Sequence, residues 1–253
     1  LLSTTELRRP DIEQLFEAAD ALSEAEPHPI DTSQQGGLLF FEASTRTRLG
    51  FETAAWQLGV KTIALYETKL TDAMSAAESI SDTVRTLNPL VTFFGVRHAD
   101  PNIFEQITPF TNHPVINCGS GDAQHPTQAL IDSFAMTHKF GGLDGLNITM
   151  TGALRHSRAA RSLFELLSQF NGITVTSFTE PQLQFNDAEI ARFTQDGKNR
   201  YIFTDDMKWG GEQVVYSAGF PPKNASGTFD QETRDRYRIT ADVVDKLQRD
   251  AII

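Results

Sequence analysis

The segment Ser44-Thr45-Arg46-Thr47-Arg48 crowds three hydroxyls and two guanidiniums together, directly after the apolar run Leu38 to Phe41 and ahead of helix-compatible sequence from Leu49. A helix N-terminus offers unpaired backbone N–H groups and the positive end of the helix dipole, and both favour an anion. Arginine adds a bidentate fork suited to phosphate oxygens. One reading of the segment is therefore a phosphate site; the other is an N-cap followed by two solvated arginines. Two further candidates follow: Arg97, in Val96-Arg97-His98 after a strand, and His125, which opens His125-Pro126-Thr127-Gln128-Ala129-Leu130. A lone histidine at a helix start is more often a cap or a solvated side chain, so the three segments carry weight only together.

Composition narrows the chemistry. The 253 residues carry a formal net charge of -11, which argues against a broad nucleic-acid surface, because phosphate backbones need clustered Lys and Arg. An anionic ligand would have to be met by a few focused cations. Cys118 is the only cysteine, so neither an internal disulfide nor a thiolate metal site is expected, and a reducing, cytoplasmic compartment is the natural reading. The longest apolar runs are strand-length, far short of the roughly 20 residues of a membrane span, and no signal peptide is visible. The sequons Asn147-Ile148-Thr149 and Asn224-Ala225-Ser226 read as chance matches in that context.

The elements that position these residues alternate between strand and helix patterns from Gly37 onwards, the signature of a parallel sheet covered by helices. The spacing predicts strands at Gly37 to Ala43, Lys61 to Glu67, Leu90 to Val96 and Val115 to Cys118, and helices near Pro10 to Ser23, Thr45 to Leu58, Glu78 to Leu87 and Pro126 to Lys139. After the turn cluster Gly141 to Gly145 the pattern restarts with strand Asn147 to Thr151, helix Arg158 to Phe170 and strand Gly172 to Phe178; shorter strands follow at Arg200 to Thr204 and Gln213 to Tyr216. The expected fold class is α/β: two doubly wound parallel-sheet domains, 1–140 and 141–253, with ligands held at strand-end loops.

The strand with Ser44-Thr45-Arg46-Thr47-Arg48 and Phe51-Glu52 resembles the carbamoyl phosphate signature of the aspartate and ornithine carbamoyltransferases, and Val96-Arg97-His98 and His125 to Leu130 follow in the expected order. The Arg97-His98 pair, the Gly121 to Asp132 segment, Gly152-Ala153-Leu154-Arg155-His156-Ser157-Arg158 and Thr240-Ala241-Asp242-Val243 are similar to the aspartate branch. The resemblance implies that residues 1–140 bind carbamoyl phosphate and 141–253 the amino acid. It also implies that Ser44, Thr45, Arg46 and Thr47 hold the phosphate with help from Arg97. Thr47, Arg97 and His125 would face the carbamoyl oxygen, Gln128 would accept from the carbamoyl NH2, and Arg158 would pair with a substrate carboxylate.

Chemistry agrees with that division. An amine attacking carbamoyl phosphate builds negative charge on the carbonyl oxygen and then expels phosphate, so donors belong at both places. Phosphate is already a good leaving group, so no metal, flavin or other cofactor is required, and the task is to hold two reactants at attack distance. The departing phosphate can take the amine's proton.

The sequence departs from the family in three places. The helix after the mobile loop is present as Glu78-Ser79-Ile80-Ser81-Asp82-Thr83, but Asp72 to Ala77 lacks the loop lysine, leaving Lys69 as the nearest. Where aspartate enzymes carry Thr-Arg-x-Gln, this chain has Tyr216-Ser217-Ala218-Gly219-Phe220-Pro221-Pro222, closer to the Ser-Met-Gly loop of ornithine-type relatives; Lys208, Lys223 and Arg155 are the nearby cations. Family members also continue past Ala251-Ile252-Ile253 into His-Pro-Leu-Pro and a final helix, so terminal segments are expected outside this sequence.

The leading expectation is transfer of a carbamoyl group to L-aspartate, giving N-carbamoyl-L-aspartate for pyrimidine biosynthesis, in a cytoplasmic homotrimer with intersubunit sites that stands alone or in a larger assembly. A different amine acceptor, and a catalytically inactive homologue serving as a structural or regulatory partner, remain as alternatives. Neither nucleic acid nor membrane is an expected partner.

Overall fold

The computed structural model describes residues 1–24, 33–66, 79–220, 229–247 and 250–252. By backbone proximity the chain divides into two units, one made of Leu1–Glu6 and Pro10–Thr127, the other of Leu7–Arg9 and Gln128–Ile253.

Up to residue 120 the elements run α1 (Arg9–Glu24), β1 (Gln35–Phe40), α2 (Thr45–Gln57), β2 (Lys61–Tyr66), α3 (Ile80–Leu87), β3 (Phe93–His98), α4 (Ile103–Ile107) and β4 (Val115–Ser120). Their strands form one parallel sheet in the order β2-β1-β3-β4. Successive residues of a strand face opposite sides. Leu39 accordingly packs with Val84, Leu87, Phe94 and Ile103 on one face, while Leu38 and Phe40 join Cys118 and Phe51 on the other. The chain leaves β1 on one side for β2 and returns on the other for β3. Loops leaving the carboxyl ends of β1 and β3 therefore diverge and leave a crevice at this switch point. The loop after β1 carries Ser44, and Arg97 lies in β3 in register with Phe40.

From Pro126 onwards come α5 (Pro126–Phe140), β5 (Asn147–Gly152), α6 (Arg158–Leu167), β6 (Thr174–Phe178), α7 (Asp187–Phe193), β7 (Arg200–Thr204), β8 (Val214–Ala218), α8 (Gln231–Arg236) and α9 (Ala241–Val244). The second sheet is again parallel, in the order β7-β6-β5-β8, with its switch between β5 and β8. Phe164 of α6 anchors its core, stacked on Phe185 at 4.2 Å and on Phe193 at 4.3 Å. At the switch, Gly152 has φ +94°, and a Cβ there would lie 1.9 Å from the carbonyl oxygen of Ala218. No side chain fits between the two strand ends. The α/β class with two doubly wound parallel sheets is thus what the sequence pattern predicts.

Element boundaries shift for local reasons. The third strand begins at Phe93, because Asn88–Leu90 forms a 3-10 turn with Pro89 in its first positions, and it runs on through Arg97 and His98. β1 stops at Phe40, and β8 starts and ends later than its pattern predicts, reaching Ala218. The expected helix to Phe170 ends at Leu167, and β6 begins at Thr174, two residues after the turn glycine Gly172 (φ +73°). α3 begins at Ile80, where Ser79 and Asp82 close a capping box. The short helices α4, α7, α8 and α9 carry too few apolar repeats to stand out in the sequence.

Candidate active site

Ser44 is the N-cap residue of α2, in an extended conformation (φ −156°, ψ 98°), and its side chain makes no capping hydrogen bond. The plain-cap reading of this segment is therefore not the arrangement found at Ser44. Ser44 and Thr45 line an open cavity together with Phe40, Glu42, Ala43, Arg48 and Tyr66. Arg46, second in the helix, is exposed and makes no hydrogen bond or ion pair among the described residues. Arg48 is held instead: its guanidinium lies 4.6 Å from the centre of the Tyr66 ring, and the Tyr66 hydroxyl donates to Glu52. A cation over an aromatic face is fixed by the ring's negative potential, so Arg48 forms a wall of the cavity.

Thr47 sits at the third position of α2, and its hydroxyl lies 3.5 Å from Nε2 of His125. That imidazole is 7% exposed. Its Nδ1 lies 3.3 Å from the Thr127 hydroxyl, so both ring nitrogens face hydroxyls, which can donate or accept as the tautomer requires. The ring is steered by the turn between β4 and α5, where Ser120 bridges to Gln124. Arg97 is half-buried at the end of β3; its Nη1 donates to the carbonyl oxygen of Cys118 at 3.3 Å, and its Nε stands 3.6 Å from Glu42 Oε2. Burial pushes the Cys118 thiol far above its ordinary range, so it contributes a carbonyl here and no nucleophile.

Of the sequence-derived candidates, the first unit therefore brings Thr47 and His125 together, and sets Ser44 and Thr45 on one cavity wall. In the second unit Gln128 donates from Nε2 to Asp132 Oδ1 at 2.9 Å, and Arg158 opens α6, whose N-cap Ser157 accepts from the backbone N–H of Ala160. Of the candidate replacement cations, Arg155 and Lys208 are exposed. The loop Asp72 to Ala77 with Lys69, together with Pro221, Pro222, Lys223 and the second sequon, lies outside the described residues. Sequence reasoning passed over Glu42, Thr127, Tyr66 and Asp132. Glu42 had a signal, as an acid in a strand-end loop two residues ahead of a Ser-Thr-Arg run; Tyr66 and Thr127 had none beyond their neighbours. Among the described residues no cluster of His, Cys, Asp or Glu is arranged to hold a metal, and no helix is long and apolar enough to cross a membrane.

Residues 1–138 match the family described as "Aspartate/ornithine carbamoyltransferase, carbamoyl-P binding domain". The aspartate carbamoyltransferase catalytic subunit of Vibrio vulnificus is 34% identical over 207 residues, 81% of this chain and 67% of that protein. That of Hyperthermus butylicus is 30% identical over 256 residues, 98% of this chain and 81% of its own length. The fold is shared with the Trypanosoma cruzi aspartate transcarbamoylase in complex with N-(phosphonacetyl)-L-aspartic acid, at TM-score 0.85 and 24% identity over 100% of this chain and 82% of that one. The catalytic subunit of M. Jannaschii aspartate transcarbamoylase gives TM-score 0.86 at 24% identity over 98% of this chain and 83% of that one. Motif order, site geometry and these matches converge: the chain belongs to the aspartate/ornithine carbamoyltransferase family.

Proposed function

We propose that the protein transfers the carbamoyl group of carbamoyl phosphate to the amino group of L-aspartate, releasing N-carbamoyl-L-aspartate and phosphate. The observation that carries this reading is the meeting of Thr47 and His125 beside a helix N-terminus whose cap hydroxyl is unused. In this reading Ser44, Thr45, Arg46 and the first-turn N–H groups of α2 hold the phosphate. Thr47, His125 and Arg97 donate to the carbonyl oxygen as the amine's lone pair closes on the carbon and negative charge gathers there. Collapse of that adduct breaks the bond to phosphate, which leaves with the amine's proton. These donors act most strongly on charge that exists only in the transition state, which is where they accelerate the reaction. Gln128 accepts from the carbamoyl NH2, and Arg158 pairs with a carboxylate of the acceptor. Residues 1–140 thereby serve carbamoyl phosphate and 141–253 the amino acid.

The relatives are named as catalytic subunits of aspartate carbamoyltransferase, which supports aspartate as acceptor; pyrimidine biosynthesis as the setting, a cytoplasmic location and a homotrimer with shared sites complete the proposed reading. A second acceptor reading rests on one feature. β8 ends in Ser217-Ala218 and Gly219 follows, three small uncharged residues at the switch point of the second sheet, where a carboxylate-binding cation would be expected. An amine with an uncharged side chain suits that end better.

The test is a steady-state assay with labelled carbamoyl phosphate and L-aspartate, L-ornithine and other amines, run beside carbamoyl phosphate titrations of the unsubstituted protein and Arg46→Ala. Carbamoyl aspartate from the unsubstituted protein and loss of binding in a folded Arg46→Ala are expected. Product with another amine alone would move the specificity, binding without any product would leave an inactive homologue, and unchanged affinity in Arg46→Ala would sink the phosphate site.

A further inference from the structure

Gln128 and Asp132 stand one turn apart on α5, with Nε2 of the amide donating to Oδ1 of the carboxyl at 2.9 Å. Residues four apart share a helix face, and such pairs on open helices are commonplace. This one is not open. Asp132 is half-buried, its Oδ2 is closed off from solvent, and the hydroxyl of Tyr216 on β8 faces the same carboxyl. Burying a carboxylate is costly, and burial raises the Asp132 pKa above the ordinary aspartate value. Burial, and after it the Asp132 carboxyl, push the Tyr216 phenol upwards, which keeps it a donor.

A carboxylate only accepts hydrogen bonds, whereas an amide presents a donor at one end and an acceptor at the other. Whichever end of Gln128 meets ionised Asp132 must be its NH2, and the carbonyl Oε1 is then left for another donor. We propose that Asp132, seated by Tyr216, is a positioning residue that fixes the Gln128 amide with its oxygen outward, so that it recognises the NH2 of the carbamoyl group. The inference rests on the carbamoyl phosphate reading above and adds to it the origin of discrimination between a carbamoyl and an acyl phosphate. Acetyl phosphate carries a methyl group where carbamoyl phosphate carries NH2, so it has nothing to give to Oε1. Without Asp132 the amide turns freely, and half of its orientations set NH2 against NH2.

The experiment measures dissociation constants for carbamoyl phosphate and for acetyl phosphate on the full chain, for the unsubstituted protein, Asp132→Ala, the near-isosteric Asp132→Asn, Gln128→Ala and the double variant Asp132→Ala with Gln128→Ala. One neutral hydrogen bond corresponds to about threefold to tenfold in affinity. Asp132→Ala should lose that factor for carbamoyl phosphate, Asp132→Asn a smaller part of it, and neither should change acetyl phosphate by more than about twofold. The double variant should be no weaker than Gln128→Ala, because the two residues act through one contact. Equal losses for both ligands, additive losses in the double variant, or no loss in either Asp132 variant would overturn the inference while leaving carbamoyl phosphate binding in place. Failure of the unsubstituted protein to bind carbamoyl phosphate would remove the underlying reading, and this one with it.

Discussion

Replacing His125 by alanine separates binding from turnover. In the free protein the imidazole meets Thr47 at 3.5 Å and Thr127 at 3.3 Å, both beyond the usual 2.7–3.2 Å of a good hydrogen bond. These two contacts contribute little by themselves; loss of the side chain should lower stability by about 1–2 kcal/mol, mostly through the space left at this buried site. Toward bound carbamoyl phosphate, a neutral carbonyl gains about 0.5–1.5 kcal/mol from one donor, or roughly twofold to tenfold in affinity. When charge develops on that oxygen, the same donor matters more. Removing a single oxyanion donor commonly costs about 2.7–4 kcal/mol, a factor of about 10² to 10³ in kcat. Steady-state kinetics with calorimetric titration of carbamoyl phosphate should thus show kcat falling far more than affinity, with thermal unfolding to confirm that the variant is folded. Weaker affinity with kcat unchanged would refute the transition-state role, since that is what loss of a uniform binding contact produces.

Gly152→Ala should destabilise the second unit by about 2–4 kcal/mol, read by chemical denaturation, because φ +94° is strained for any side chain and the new methyl would meet the Ala218 carbonyl oxygen at 1.9 Å. Wild-type stability in that variant would mean that β5 and β8 do not meet as described. At Asp144, burial acts to raise the pKa, but the backbone N–H of Asn171 and the Arg9 guanidinium outweigh it and hold the carboxyl below its ordinary value. A depressed folded pKa gives stability that is present above the unfolded value and lost as pH falls through the folded one. Asp144→Asn should therefore cost under about 1 kcal/mol at neutral pH, the pair being 46% and 37% exposed, and the difference from the unsubstituted protein should vanish in acid. A difference that persists there would show that packing rather than charge is responsible.

The fold was legible because buried parallel strands leave apolar runs, as in Leu38 to Phe40 of β1 and Phe93 to Val96 of β3, and because strand and helix patterns alternate along the chain. Their ends were less legible. Where β3 begins depends on Pro89 forming a turn and on pairing with Gly36, a partner distant in the chain. The site was readable as types, with hydroxyls and cations ahead of a helix, but its distances were not. Thr47 meets His125 only because β1 and β4 flank β3 in one sheet, each sending its following loop out at the same edge. Tyr216 facing Asp132 requires β8 to lie next to β5, an order that reverses the sequence and leaves no local trace.

Two serines show what separates a structural helix start from a binding one. Ser79 and Ser44 both precede a helix in extended conformation, yet Ser79 accepts from the Asp82 N–H and Asp82 answers to the Ser79 backbone, while Ser44 makes no such bond. Three residues after the serine, a carboxylate closes the capping box in α3; in α2 that position is Thr47, which has no acceptor charge to return and turns toward His125. The first-turn N–H groups of α2 are then left for a ligand, and a negatively charged one satisfies them while neutralising the dipole. A glutamate or aspartate at position 47 would close the box and place negative charge where phosphate is expected to sit, so the residue that withholds the cap is also the one that turns the helix into an anion site.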